Sequence, residues 1–443
     1  MNNYYVSIRK TSAVVVFSFL FLVLITSLTS AQNTYAQKIK VKGGAEPGEI
    51  IGTTDGGNAL LFVDGIGKRV LLRKVNASGK KVWQRELHLK ESQSSNVGFV
   101  GSGVAELSDG GYILTGNTLV AFSYLFDADP WLVKLNAAGR IDWQKRFFET
   151  GDAPVLNSVA PSSDGGFFTA GNRGPEFLFP GNSGVLVASF DSSGLMRWGK
   201  VYGDNVFPSL SKIFITSDEK LIVVSSIFSP HEAEETLILK LDSDGNLLWK
   251  QLLRKKNASF LSGTVTDDGG CVLNFSSGGT HVLLVRISSN GDVLWKNRFR
   301  VDSQNSEGSA VTQSGDGSFA VTGTVFSTDA KTKGFVAKLS SNGQVISGMI
   351  SEDAVDFPKF ILPAPDSGFV VFGTSESPFL LKLDSNANLP GCNLFSSATI
   401  QSRSFGTLKT SAPNITINNW TPQEANLDTR TKKLKVISSQ FCP

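Results

Sequence analysis

The stretch KLDSDGNLLWK, residues 240 to 250, sets Asp242, Asp244 and Asn246 at alternate positions around Gly245. Oxygen-bearing side chains at that spacing open a calcium loop, in which the glycine permits the sharp turn. Calcium takes six or more oxygens, however, and no further ligand follows downstream. Other reactive groups are sparse. His88, His231 and His281 are the only histidines and form no recognisable pair, and the chain has no HExxH, no GxSxG and no Cys/His metal spacing. No metal and no cofactor is therefore expected.

The same pattern recurs with other chemistry in it. It reads KVNASGKKVWQ (Gly79, Trp83), KLNAAGRIDWQ (Gly139, Trp143) and SFDSSGLMRWG (Gly194, Trp198) before the copy that ends at Trp249. It returns as RISSNGDVLWK (Gly291, Trp295) and KLSSNGQVISG (Gly343), and decays in KLDSNANLPGC around Ala387. These seven copies stand roughly 44 to 60 residues apart, and only the fourth carries two aspartates. The shared cause is the turn: Asn, Asp or Ser before Gly lets the chain take positive φ and close a hairpin.

A second motif interleaves, as in LSDGGYILTG at Asp109 and SSDGGFFTAG at Asp164, with further copies at Asp55, Asp218, Asp268, Asp316 and Asp366. It too reads as a hairpin, an Asp-Gly turn followed by alternating apolar residues. Each repeat thus holds four strands. A single four-stranded sheet cannot bury both faces, so neighbouring sheets must stack, and this period predicts an all-β, seven-bladed β-propeller over residues 37–391. The tryptophans would point at the next blade. Ser347 and Gly391 replace them in the last two copies, so the interfaces around blades six and seven are expected to be the loosest. KIKVKGGAEPGE, residues 38 to 49, resembles the end of a repeat, and its segment Lys38 to Lys42 is expected to supply the outer strand of blade seven, closing the ring and hiding two sheet edges.

Arg9 and Lys10 precede an apolar run, Ala13 to Ile25, and small polar residues follow, which reads as a secretory signal over residues 1–36 cleaved after Ala31 or Ala36. The other reading is an uncleaved anchor, since Thr11 to Leu28 nearly matches a bilayer span. Export predicts a Cys392–Cys442 disulfide, worth about 4 kcal/mol in the chain-entropy model, and a buried free Cys271. Residues 392–443 then form a disulfide-tethered β extension. Its bases Arg430, Lys432, Lys433 and Lys435 read as a solvated strand edge. With 42 basic and 39 acidic residues the chain lacks the positive excess of a nucleic-acid binder.

The paired motif DGGYILTG … WLVKLNAAGRIDWQKRF resembles secreted bacterial propellers with PQQ-like or WD40-like repeats, over residues 38–391. The end of the chain is similar to the tails of some uncharacterised exported propellers. The resemblance implies the fold strongly and the function weakly, because such propellers include quinone-dependent dehydrogenases, outer-membrane assembly scaffolds and proteins of no known activity. SSDGGFF (162–168) also resembles the Asp-box turn of sialidases, which is itself a structural hairpin. The calcium site, catalytic carboxylate and acidic platform of a quinone enzyme are not assignable here.

Two regularities remain. A base stands five residues before the turn in six copies (Lys74, Lys134, Lys240, Arg286, Lys338, Lys382), with Ser189 the exception. It reads either as an anion-binding ring or as partners for the turn aspartates, and a position repeated in every blade usually serves the blade. Both motif turns lie at one end of their strands, so the variable connections share the other face. Those at 117–130, 172–183 and 226–236 place Phe122, Tyr124, Phe126, Phe177, Phe179 and Phe228 over blades two to four. They form either a sugar- or protein-binding patch or local cores beneath the loops. The expected function is that of an exported, monomeric, non-enzymatic binding or scaffold module, secreted, periplasmic or at the cell surface. The alternative is a hydrolase or quinone-type oxidoreductase with a loop-built site at the central funnel.

Overall fold

The turns form as their residues dictate. Asp109 Oδ1 accepts the N–H of Gly111 at 2.9 Å, Asp164 does the same for Gly166, and the glycine between takes positive φ. Asn136 accepts from Ala138 and Arg140, both at 3.1 Å, around Gly139. Asp242 Oδ1 accepts from Asp244 and Asn246 at 3.0 and 2.7 Å, so its carboxylate is occupied by its own turn.

A computed structural model describes residues 34–442 apart from 42–43, 65–68, 90–96, 123–124, 150–152, 175–182, 204–205, 229–234, 328–331, 353–356, 394, 414, 427–428 and 433–437. Its strands form seven antiparallel sheets arranged as a seven-bladed propeller. From inner to fourth strand, blade one runs from Glu46–Gly52 to Lys81–Leu89, blade two from Val97–Glu106 to Ile141–Phe148 and blade three from Val155–Pro161 to Met196–Tyr202. Blade four runs from Phe207–Ile215 to Leu247–Arg254, blade five from Phe260–Val265 to Val293–Phe299 and blade six from Asn305–Gln313 to Val345–Ser351. Blade seven begins at Phe357–Pro363, and its fourth strand is Tyr35–Ile39, antiparallel to Pro378–Leu383 with Tyr35 opposite Lys382. The closing strand thus lies a few residues before the Lys38–Lys42 predicted. The physical reason is burial: Tyr35, Ala36 and Ile39 are the apolar positions that fill the cores on either side of blade seven.

Seven hydrophobic clusters lie among the described residues, one between each pair of neighbouring blades. The repeated tryptophans cross these interfaces as predicted. Trp83 Nε1 donates to the Ala137 carbonyl of blade two at 3.0 Å, Trp143 to Ser192 at 3.1 Å, Trp198 to Ser243 at 3.0 Å, Trp249 to Ser289 at 2.8 Å and Trp295 to Ser341 at 3.1 Å. The turn glycine lies under the indole. A Cβ on Gly194 would fall 2.6 Å from the Trp143 ring and one on Gly139 2.9 Å from Trp83. Where the indole is missing, Ser347 Oγ donates to the Asn386 carbonyl at 3.1 Å, and the facing turn residue is Ala387 at φ 62°. At the ring closure Tyr35 takes the place of the indole, over Gly79.

The segment after Cys392 is β-rich as expected, but it does something the sequence analysis does not foresee. It gives every blade a fifth, outermost strand: Phe395–Ser397 on blade six, Arg403–Ser404 on five, Lys409–Ser411 on four and Ile417–Asn419 on three. It continues as Gln423–Asn426 on blade two and Thr429–Lys432 on one, and ends as Ser438–Cys442 on blade seven, outside the N-terminal strand. The tail is a belt that runs backwards round the ring. Ile400, Phe405, Leu408 and Trp420 anchor it in successive interblade cores. Trp420 is 1% exposed, and its backbone N–H donates to the Gly199 carbonyl at 2.8 Å. Gly199 and Gly348 leave the space that Trp420 and Ile400 occupy.

Trp420→Ala should therefore destabilise the whole domain by about 3–5 kcal/mol, the range for removing a buried tryptophan. Chemical denaturation checks this; a loss below about 1 kcal/mol would mean that the belt is not part of the cooperative unit.

Candidate functional site

The repeated bases are internal clamps. Lys74 Nζ meets Asp55 at 2.7 Å, Lys134 meets Asp109 at 2.5 Å, Lys338 meets Asp316 at 3.1 Å and Lys382 meets Asp366 at 2.6 Å, each joining the third strand to its own blade's Asp-Gly turn. Arg286 holds Asp268 with a two-pronged contact at 2.6 Å. Lys240 donates instead to the Gly269 and Ser289 carbonyls of blade five, at 3.0 and 3.2 Å. In blade three, where Ser189 occupies the position, Arg197 reaches Asp164 from the fourth strand at 2.6 Å. These cations are engaged, so the reading as an anion-binding ring gives way to the structural one.

The carboxylates near the axis are engaged as well. Glu49, on the inner strand of blade one, meets Lys212 on the inner strand of blade four at 3.2 Å and accepts the Val104 N–H of blade two at 2.7 Å. Glu46 meets Lys359 of blade seven at 3.2 Å. A polar layer along the second strands ties blade to blade: Asn117 exchanges two bonds with Leu156, Asn172 accepts from Ser211 at 2.8 Å, and Asn274 donates to the Gly308 carbonyl at 2.8 Å. Sequence analysis passed over these amides, although each follows its Asp-Gly motif at a similar distance. On the turn side of the ring, a cavity of about 450 Å³ is lined by residues of blades one, five, six and seven, among them Gly57, Asn58, Gly315 and Pro365 with Asp267 and Lys382.

Among the histidines, His88 Nε2 lies 2.6 Å from Glu86 Oε1, and Arg69 joins the same carboxylate. Sequence alone gave no sign of this pair, which forms because the two residues share one side of an outer strand. His231 lies outside the described residues. Cys271 is the buried free cysteine, and burial pushes its thiol up to about 12, which leaves it unreactive.

The aromatic candidates fare unevenly. Tyr124, Phe177 and Phe179 lie outside the described residues, as does segment 1–33. The stretch 117–130 is no loop. The strands Tyr112–Phe122 and Leu125–Leu135 pair along their whole length, with Phe122 opposite Leu125 and Ala121 opposite Phe126. The corresponding pair in blade three is seven residues a side against eleven here, so the strand pairing of blade two runs about 13 Å further towards the variable face. The alternation TLVAF and LFDAD continues the strand pattern, and this outweighs the turn-forming Asp and Pro residues. Phe228 is exposed (47%) at the end of its strand, and Phe326 (38%) holds the same place in blade six without having been singled out in the sequence.

The family described as outer membrane protein assembly factor BamB matches residues 67–377. The chain belongs to that family. No curated protein matches it. Among solved structures it is similar to a glucose dehydrogenase (TM-score 0.36, 10% identity, 64% of this chain and 96% of that one). It is also similar to a protein of unknown function from Dyadobacter fermentans (0.40, 11%, 64% and 94%) and to prolyl oligopeptidase B from Galerina marginata (0.44, 9%, 84% and 52%). These likenesses concern the propeller fold alone.

The clamps make the fold acid-sensitive. Burial pushes Asp55 up, but hydrogen bonds from Lys74, Thr53 and Gly57 and the Lys74 charge outweigh it and hold the carboxyl at about 2. Asp316 stands at about 2 chiefly through the Ser318 hydroxyl, with Lys338 adding to it. Each carboxylate binds its proton less readily when folded than when unfolded, so their stabilisation is complete above about pH 4 and is lost as pH falls towards 2. The Asp55→Asn, Asp316→Asn double variant should show a smaller loss of stability between pH 5 and pH 2.5 than the parent, by thermal melting. Equal losses would mean the clamps do not carry the acid sensitivity.

Proposed function

We propose that this protein is an exported, monomeric, non-enzymatic scaffold propeller that binds a protein partner on the variable face over blades two to four. One observation carries the reading: the second and third strands of blade two pair over eleven residues, four more than those of blade three, on the face where the connections differ, while the polar groups nearer the axis are engaged in holding blades together. Phe122, Tyr124, Phe126, Phe177, Phe179 and Phe228 would supply the contacts, and exposed aromatics are common anchors of such surfaces. The name of the family, an outer-membrane assembly factor, supports both a protein partner and export. A glycan partner is the alternative that the same surface allows.

Export fits two further proposals. Tyr35 and Ala36 are 5% and 0% exposed within the closing strand, so cleavage after Ala31 keeps that strand whole, whereas cleavage after Ala36 removes its first two residues. Mass spectrometry of the exported protein should therefore find Gln32 at the N-terminus; a start at Gln37 would contradict this. Cys392 is disulfide-bonded, Cys271 is free, and the chain has three cysteines, which supports Cys442 as the partner.

The Phe122→Ala, Phe126→Ala, Phe228→Ala triple variant tests the surface. It should keep the parent's melting temperature and lose the envelope protein that the parent captures by crosslinking. A variant that melts several degrees lower yet retains the same captured protein would show that these rings are local cores. Glycan-array binding by the parent that the triple variant loses would move the assignment to sugar.

A further inference from the structure

The flank where blade four meets blade five carries positive charge that no carboxylate among the described residues answers. Two adjoining cavities of about 310 and 270 Å³ open there, and both are lined by His281 and Arg298. Arg300 and Arg403 line the first, Lys255 and Lys256 the second. In a chain with 42 basic and 39 acidic residues this is a local concentration.

Backbone register creates it. Arg298, on the outer strand of blade five, lies directly opposite Arg403 of the belt. Like charges facing each other across a ladder destabilise it. Blade two shows the ordinary solution, where the belt brings Glu424 to Lys145 at 2.7 Å. On blade four, Arg254 is answered by Glu235. On blade five the belt brings a second cation instead. Arg300 donates to the Thr280 carbonyl at 3.0 Å, and the nearby Asp302 accepts the Thr399 N–H at 2.7 Å. His281, with Nδ1 3.2 Å from Thr280 Oγ1, is held below its ordinary pKa by burial and then by the charges of Arg300 and Arg298.

We propose that this flank binds a tetrahedral oxyanion, a phosphate or sulfate ester, between Arg298 and Arg403, with Lys255, Lys256, Arg300 and His281 around it. Guanidinium forks match such oxyanions in a two-pronged geometry, and an anion between two facing arginines turns their repulsion into shared attraction. The cavities accommodate a single esterified sugar or a lipid headgroup. The inference stands apart from the aromatic face, which lies on other blades.

Inorganic phosphate titrated into the full mature protein, at fixed ionic strength set with chloride, is the direct probe. Calorimetry should detect binding, and the His281 imidazole signals in NMR should move as its proton affinity rises. Arg403→Gln should weaken binding at least tenfold while melting at or above the parent temperature, because it removes a like-charge contact. Unmoved His281 signals, or equal affinity in Arg403→Gln, would overturn the site and leave an adventitious ion only. If Arg403→Gln fails to fold, Lys256→Gln, on an exposed turn, gives the same comparison. Sedimentation of the parent with phosphatidic acid vesicles, but not with phosphatidylcholine alone, assigns the ester to a lipid; tighter binding of glucose 1-phosphate than of inorganic phosphate assigns it to a soluble sugar.

Discussion

A four-stranded sheet leaves the N–H and C=O groups of its outermost strand half unpaired, and that open edge is the constraint around which this molecule is organised. Seven such edges point outwards from the ring. Each fourth strand meets two demands at once. Its large side chain, a tryptophan in five blades, needs cover, which the turn glycine of the next blade provides, and its main chain needs partners, which the belt provides. The belt strands are only two to five residues long, so their hold depends on the anchors between them, from Ile400 to Trp420, which enter cores formed by the blades. The belt ends beside the N-terminal strand, where Cys442 pairs in register with Ala36, and Ala36 shares a core with Cys392. The first and last described strands and the start of the belt therefore meet in blade seven.

The interfaces are mixed rather than purely apolar. Apolar clusters fill the space between blades and indole-to-carbonyl bonds and Asn-to-backbone bridges tie neighbouring blades together, while base-to-aspartate clamps fix each blade's own turn. Each of these polar contacts is repeated with local substitutions. Tyr35 stands for a tryptophan at the closure, Ser347 with Ala387 replaces the indole–glycine pair, and Arg197 substitutes for the base missing at Ser189. The Ser347 and Arg197 exchanges keep the hydrogen bond or the charge, whereas Tyr35 keeps the ring over the turn glycine without the hydrogen bond. Residues engaged in this way are withdrawn from ligand chemistry, which directs attention to the variable face and to the flank of blade five.

How much of this was legible in the sequence follows from what each feature rests on. The hairpins were readable because Asp-Gly and Asn-x-x-Gly turns impose residue types, and the seven copies because they recur. The tryptophans and the clamp bases were readable for the same reason. The belt was not, since main-chain pairing over two to five residues imposes no side-chain pattern; its trace is a series of single apolar residues, Ile400, Phe405, Ile415 and Trp420, in a Ser/Thr/Asn-rich background. The closing strand was found but shifted, because Lys38 to Lys42 matches the repeat while Tyr35 and Ala36 match the core. The clustering of Arg298 with Arg403 is a matter of register between segments far apart in sequence, and no local spacing encodes it.

Hydrogen–deuterium exchange on the intact protein and on a chain ending at Cys392 tests the organising role of the belt most directly. If the belt completes each blade, amides at the ends of the outer strands, such as Lys200–Tyr202 and Leu252–Arg254, exchange slowly in the intact protein and many-fold faster without the tail, in all blades together. Equal exchange rates at those positions in the two chains would contradict the account.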